Sequence, residues 1–287
     1  MSSSMRAAVV APAMSIEVDR HRAGGAGRSR DFVAVEEPLE IRINYRARIV
    51  RKERSIAVTM RTPGHDSELA AGFLFTEGLL RDPSDVLAIR PCRSGNRVRV
   101  VLRDDVAFDA ARMKRHFFAN SSCGVCGKAS IDAVRVCRRI ELTDQLDVNA
   151  ATIRLLPERL RNAQAVFEHT GGLHGCALFS ADGELRCVRE DVGRHNAVDK
   201  LIGRQFLIGK TPLTDAVLLL SGRISFELVQ KAAMAGIPLV AAIGAPSSLA
   251  VQLAEEVGMT LVGFLREDRF NVYTGGRRLA ASTELPA

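Results

Sequence analysis

Two thiols stand two residues apart in Ser122-Cys123-Gly124-Val125-Cys126-Gly127-Lys128. Gly124 and Gly127 leave the backbone uncrowded, so that a partner can reach either sulfur. The spacing predicts a helix starting near Ala129 or Ser130. Its N-terminal dipole, with the Lys128 ammonium, favours thiolate over thiol, and the thiolate is the nucleophile. Four chemistries fit the pair. It can carry sulfur as a persulfide or take part in dithiol exchange. It can supply half of a zinc site, or it can simply form a turn. Zinc needs two further ligands at short spacing, and the other cysteines (92, 137, 176 and 187) are scattered singly. Dithiol exchange expects the motif after a strand in a βαβ unit, whereas here it lies in a glycine loop. The four single cysteines sit in apolar contexts and read as buried, inert thiols.

A second group of polar residues falls where strands run into helices. Residues 169–176, His-Thr-Gly-Gly-Leu-His-Gly-Cys, place two histidines around a turn, too far apart in sequence for a tight metal pair. Residues 190–200 put Glu190, Asp191, Arg194 and His195 at one junction. In an open α/β sheet such junctions face the ligand crevice, so this cluster reads as part of a pocket, with helix capping by Asp191 as the plain alternative. Ser221 with Arg223, and Ser247, each follow a buried strand and open a helix. Free N–H groups at such starts suit phosphate or carboxylate, and arginine adds a bidentate contact, although serine there is most often only a cap. Arg266 and Arg269 flank two acids in Phe264-Leu265-Arg266-Glu267-Asp268-Arg269. From charge alone that run is a surface salt-bridge cluster. Neither a Walker A loop nor Gly-x-Gly-x-x-Gly is present.

The elements that must position these groups follow from periodicity. Residues 1–30, rich in Ser, Ala, Gly and Arg, read as a disordered arm. Residues 31–150 read as a strand-rich portion holding the cysteine loop. It has alternating strands up to Met60, a helix after Pro63 capped by Asp66 or Ser67, and a strand pair around Ser94-Gly95-Asn96. A helical spacing follows over 131–140. Residues 151–287 read as an α/β portion. A helix carrying Pro157 in its first turn leads into two strands joined at Ala181-Asp182-Gly183, and then helix and strand alternate. Short Val, Ile and Leu runs between helices predict a parallel sheet covered on both faces.

The 287 residues are 47% hydrophobic and 25% charged, and Lys+Arg 40 against Asp+Glu 33 gives +7. This is the balance of a globular chain large enough to bury a core without disulfides. No run approaches the roughly 18 apolar residues of a membrane span, and the start is a poor signal peptide. A cytoplasmic, reducing setting is therefore expected. The positive charge is diffuse, with no basic block beside stacking aromatics, so nucleic acid is not the expected partner.

Taken in order, Phe75-Thr76-Glu77-Gly78-Leu79-Leu80, Cys123 to Lys128, His169 to Gly175, Glu190 to Lys200, Ser221 to Ala232 and Gly244 to Val251 resemble the formate dehydrogenase accessory sulfurtransferase family, FdhD. The likeness covers roughly residues 35–275. It implies a cytidine-deaminase-like three-layer α/β/α core with a smaller strand-rich domain, and a homodimer. It implies that a cysteine desulfurase donates sulfur as a Cys123 persulfide, Cys126 being the second cysteine of the motif. The sulfur would pass to the molybdenum (or tungsten) bis-molybdopterin guanine dinucleotide cofactor before its insertion into formate dehydrogenase. By position, Phe264, Leu265, Arg266, Glu267, Asp268 and Arg269 match the family's cofactor-binding stretch, which displaces the plain reading of that run. Ser221, Arg223, Ser247 and His195 are further candidates for the same ligand. No catalytic zinc is expected, because the deaminase motifs His-x-Glu and Pro-Cys-x-x-Cys are absent. Two alternatives stand beside sulfur transfer. One is a cofactor-binding chaperone of formate dehydrogenase with a structural cysteine pair, and the other is a zinc or dithiol redox protein.

Overall fold

The computed structural model describes residues 11–92, 95–106, 108, 142 and 144–280. Cys123, Cys126, Cys137 and the helical spacing over 131–140 lie outside the described residues.

The expected disordered arm is largely a hairpin. Strand β1 (Ala13–Arg22) pairs antiparallel with β2 (Gly25–Ala34) along its whole length, from Ala13 opposite Ala34 to Arg22 opposite Gly25. Composition hid a period-two pattern in which Met14, Ile16 and Val18 alternate with Ser15, Glu17 and Asp19. Gly25, at φ 135°, supplies the backbone that closes the turn.

Next comes a four-stranded sheet, ordered β4-β3-β6-β5, from β3 (Glu37–Ala47), β4 (Val50–Arg61), β5 (Val86–Pro91) and β6 (Arg97–Leu102). The expected β5–β6 pair is antiparallel, and β3 runs parallel to β6. Alternate residues Leu39, Ile41, Ile43 and Tyr45 of β3 are buried on one face. Helix α1 (Asp66–Thr76) lies under that sheet, but its cap differs from expectation. His65 occupies the cap position in the left-handed region at φ 58° and makes no side-chain cap bond. Asp66 instead accepts two hydrogen bonds from the buried Arg61 guanidinium, at 2.9 and 3.0 Å. A bidentate partner for a buried cation outweighs one capping bond.

The second portion starts with a two-residue strand β7 (Val148–Asn149) and helix α2 (Ala150–Ala163). Asn149 caps α2 through Ala151 N at 2.7 Å, so the helix starts earlier than expected. Pro157 therefore falls inside it rather than in its first turn. A break at Gln164 leads to α3 (Ala165–Thr170). There follow β8 (His174–Phe179), β9 (Leu185–Asp191), α4 (Arg194–Leu207), β10 (Val217–Leu220), α5 (Phe226–Met234), β11 (Leu239–Ala242), α6 (Ser248–Glu256), β12 (Thr260–Gly263) and β13 (Asn271–Thr274). A last two-residue strand, β14 (Leu279–Ala280), pairs with β7.

The central sheet runs β13-β12-β11-β10-β8-β9 and is mixed rather than parallel throughout. Only β10, β11 and β12 are parallel. The short turn between β8 and β9 forces those strands antiparallel, and β13 returns antiparallel along β12. Both faces are buried, as expected. Leu218 and Leu220 point into a core shared with α1, α4, α5, α6 and the four-stranded sheet, whereas Val217 and Leu219 point towards α2. The molecule is thus a mixed α/β protein with helices on both faces of the central sheet and a second, strand-only sheet against α1.

Helices α1 and α4 join the two portions by a close crossing. A Cβ on Gly72 would collide with the carbonyl oxygen of Asp199, and one on Gly203 with that of Glu68. Two backbones can approach this closely only where neither carries a side chain. Among the described residues no helix is long and apolar enough to cross a membrane.

Candidate functional site

The three parallel strands end at one edge of the sheet, and the loops leaving them are stitched side by side. Gly244 N donates to Gly222 O at 3.0 Å, Ile224 N to Ala245 O at 3.0 Å, and Ser247 N to Ile224 O at 2.9 Å. On the other side Phe264 N donates to Gly244 O at 3.1 Å. Gly244 is required here, because a Cβ would lie 2.7 Å from Gly222 O. Strand β8 starts, and β9 ends, at this same edge, with His174 opposite Asp191. The sheet therefore brings His174, Arg194, His195, Ser221, Arg223, Ser247 and the 264–269 run into one row of loops, as the crevice rule for α/β sheets anticipates.

At one end of the row, Phe264, Arg266, Arg269 and Asn271 line an open cleft of about 290 Å³. Phe264 sits in the left-handed region at φ 52°, uncommon for a bulky residue, and is 44% exposed. Arg266 Nη1 donates to the carbonyls of Ile243 and Leu265, both at 2.8 Å, which fixes the guanidinium at the cleft wall. Among the described residues, the Arg269 side chain is held by its exposed neighbour Asp268, at 3.1 Å. Arg266 N closes the loop onto Arg269 O at 2.8 Å. Two guanidiniums and an exposed ring suit an anionic, planar ligand. Asn271 is a lining residue that the sequence did not single out, since its strand follows a charged run.

At the other end lie the imidazoles. His195 Nε2 is 3.2 Å from Ser225 Oγ and 3.7 Å from Glu227 Oε2. Burial raises the Glu227 carboxyl, but hydrogen bonds from His195 and Ser225 outweigh it and bring the pKa down to about 2. The His174 pKa is lowered by burial first, then by Arg194, His195 and Arg223, with Asp191 opposing. Ser225 and Glu227, the residues that hold His195, were not singled out in the sequence. Their signal was a Ser at a helix start followed by an acid in the first turn.

Other candidates prove structural. Ser221 Oγ accepts from Gly175 N at 2.9 Å and ties β10 to β8, and Ser247 Oγ accepts from Ala250 N at 3.3 Å as the cap of α6. Most of the 190–200 cluster turns inward rather than into a pocket. Asp191 makes a fully buried ion pair with Lys200 at 2.7 Å and accepts from Thr62 N, Gly193 N and Asn196 Nδ2. Lys200 also donates to Thr62 O at 2.8 Å, so the pair pins the end of β4 to the start of α4. Glu190 accepts from Val166 N and Phe167 N and caps α3. Asp199 takes Lys231 Nζ on both oxygens at 2.9 Å, with Thr76 Oγ1 bonded to each partner. Burial opposes the Lys231 charge, yet Asp199 and Glu77 hold its pKa above the ordinary lysine value. Of this motif only Arg194 and His195 remain for a site. Cys176 is buried as expected, whereas Cys92 and Cys187 are only half-buried; burial is the main influence that raises the Cys176 and Cys187 thiol pKa values.

The sequence profile of the FdhD/NarQ family matches residues 34–280. The chain belongs to the FdhD/NarQ family. Members of this family resemble it closely along most of their length. The "Sulfur carrier protein FdhD" of Mycolicibacterium paratuberculosis is 52% identical over 266 residues, 90% of this chain and 95% of that protein. That of Streptomyces coelicolor is 50% identical, covering 92% and 94%, and that of Sulfolobus acidocaldarius is 43% identical, covering 92% and 97%. A crystal structure of a candidate formate dehydrogenase accessory protein from Desulfotalea psychrophila superposes with a TM-score of 0.72 at 26% identity, over 94% of this chain and all of that one. The β1–β2 hairpin lies almost wholly outside the family match.

Proposed function

We propose that the protein is a sulfur carrier for formate dehydrogenase and that Cys123 bears the sulfur. The observation that carries this reading is the FdhD/NarQ match over 34–280, which encloses Cys123-Gly124-Val125-Cys126 in a chain half identical to named sulfur carriers. The loading step is a transpersulfidation. The Cys123 thiolate attacks the outer sulfur of a persulfide on a cysteine desulfurase. The donor's S–S bond breaks as the Cys123 S–S bond forms, the donor cysteine leaves as thiolate, and no net oxidation occurs. Gly124 and Gly127 leave the loop open to the donor, and the Lys128 ammonium nearby favours the attacking thiolate.

The proposed acceptor is the molybdenum bis-molybdopterin guanine dinucleotide, bound as substrate, and this chain works as a cytoplasmic homodimer. Support for a phosphate- and guanine-bearing acceptor comes from the cleft, where Arg266 and Arg269 offer charge and Phe264 an exposed ring. Leu265, buried beneath the loop, and the acids Glu267 and Asp268 complete the matched stretch. The test is rescue of formate dehydrogenase activity in cells lacking the protein. Cys123→Ala should abolish rescue, whereas Arg266→Gln with Arg269→Gln should lower it. Full rescue by Cys123→Ala with loss in the arginine variant would favour a cofactor-binding chaperone instead.

A further inference from the structure

Two arginines at the imidazole end of the loop row are left without a carboxylate partner among the described residues. Arg194 opens α4 and is mostly buried, and its Nε is shielded from solvent with no hydrogen-bond partner. Arg223 lies in the loop between β10 and α5 and is exposed. Between these segments stands His174, whose Nδ1 lies 3.2 Å from where a Gly222 Cβ would be. His195, next to Arg194, reaches Ser225, two residues beyond Arg223. The nearby acids are engaged elsewhere, Asp191 with Lys200 and Glu227 facing His195. An arginine whose Nε is shielded and unbonded is costly unless a ligand completes it.

We propose that Arg194 and Arg223, with His174 between them, form an oxyanion site for a phosphate or diphosphate group, separate from the 264–269 cleft. The sites lie on opposite sides of the 243–247 loop, so a ligand with phosphates at two places can span the row. The identity of that ligand rests on the proposed function, whereas the site itself does not.

The probes are inorganic pyrophosphate and guanosine diphosphate, titrated calorimetrically at low salt into the full chain and its variants. Pyrophosphate should bind the unaltered chain. Arg223→Gln and Arg194→Gln should each weaken it about tenfold, the scale of one lost charge-assisted bond. Arg103→Gln, at an exposed arginine just after β6 and outside the row of loops, should leave that affinity unchanged. Arg223 is exposed, so its variant keeps the test valid if Arg194→Gln unfolds. A parallel loss for guanosine diphosphate supports the site with a nucleotide as the phosphate source. A loss for pyrophosphate alone supports it with free phosphate as the source. No pyrophosphate binding, undiminished binding by Arg223→Gln, or an equal loss in Arg103→Gln overturns the proposal. Sulfur loading of Cys123 is measured independently, so failure of one does not entail failure of the other.

Discussion

The Asp199–Lys231–Thr76 cluster shows why polar residues inside this protein need not be catalytic. Each charge is fully enclosed and tolerable only because the others complete its bonds. Lys231→Met should therefore destabilise the fold by about 3–5 kcal/mol, since it strands Asp199. Pairing it with Asp199→Leu should recover most of the loss, and urea unfolding of the two variants checks both statements. Reactivity divides the cysteines in the same physical terms. Cys176 is almost wholly enclosed. It should resist iodoacetamide in the native protein and react only after unfolding, as read by peptide mass spectrometry.

The α1–α4 crossing depends on two absent side chains. Gly203→Ala should push α4 off α1 and cost about 3 kcal/mol or more, because the obstruction is backbone and cannot rotate away. A shift in the denaturant midpoint without a change in slope would be the expected reading. This contact was not legible in the sequence, where Gly72 and Gly203 read only as weak points in two helices. The strands and helices after His174 were legible, since β10, β11 and β12 are short runs made mainly of Val, Leu and Ala between amphipathic stretches. The polar clusters were legible as clusters but not in their destination. Asp191 and Lys200 meet Thr62 across 129 and 138 residues, a pairing that no local pattern encodes. The β1–β2 hairpin was missed because composition outweighed an alternation already present in Met14 to Arg20. Of the cleft residues, Phe264, Arg266 and Arg269 were singled out only by resemblance and Asn271 not at all, because a loop of alternating charges looks alike whether it lies flat or lines a wall.

At the scale of the whole molecule, two carboxyls that bridge elements contribute to acid stability. Burial raises the Glu68 pKa, but hydrogen bonds from His65 and Arg189 bring it down to about 2, as His195 and Ser225 do for Glu227. Both folded values lie below the ordinary 4.5, so the ionised forms favour the fold. Their contribution is complete above about pH 4.5 and is lost as the pH falls towards 2. Thermal unfolding should show a falling melting temperature through that window, and Glu68→Gln should flatten the fall. The net charge of +7 acquires a local meaning at this scale. Arg194, Arg223, Arg266 and Arg269 gather along one row of loops, a charge that suits the multiply phosphorylated acceptor of the sulfur-carrier role we propose. The most direct test of that role is mass spectrometry of the intact chain and its peptides after incubation with a cysteine desulfurase and cysteine. A reducible gain of about 32 Da, one sulfur atom, is expected on the peptide containing Cys123 and is lost in Cys123→Ala. A Cys123 peptide of unchanged mass, or an adduct that persists in Cys123→Ala, would contradict it.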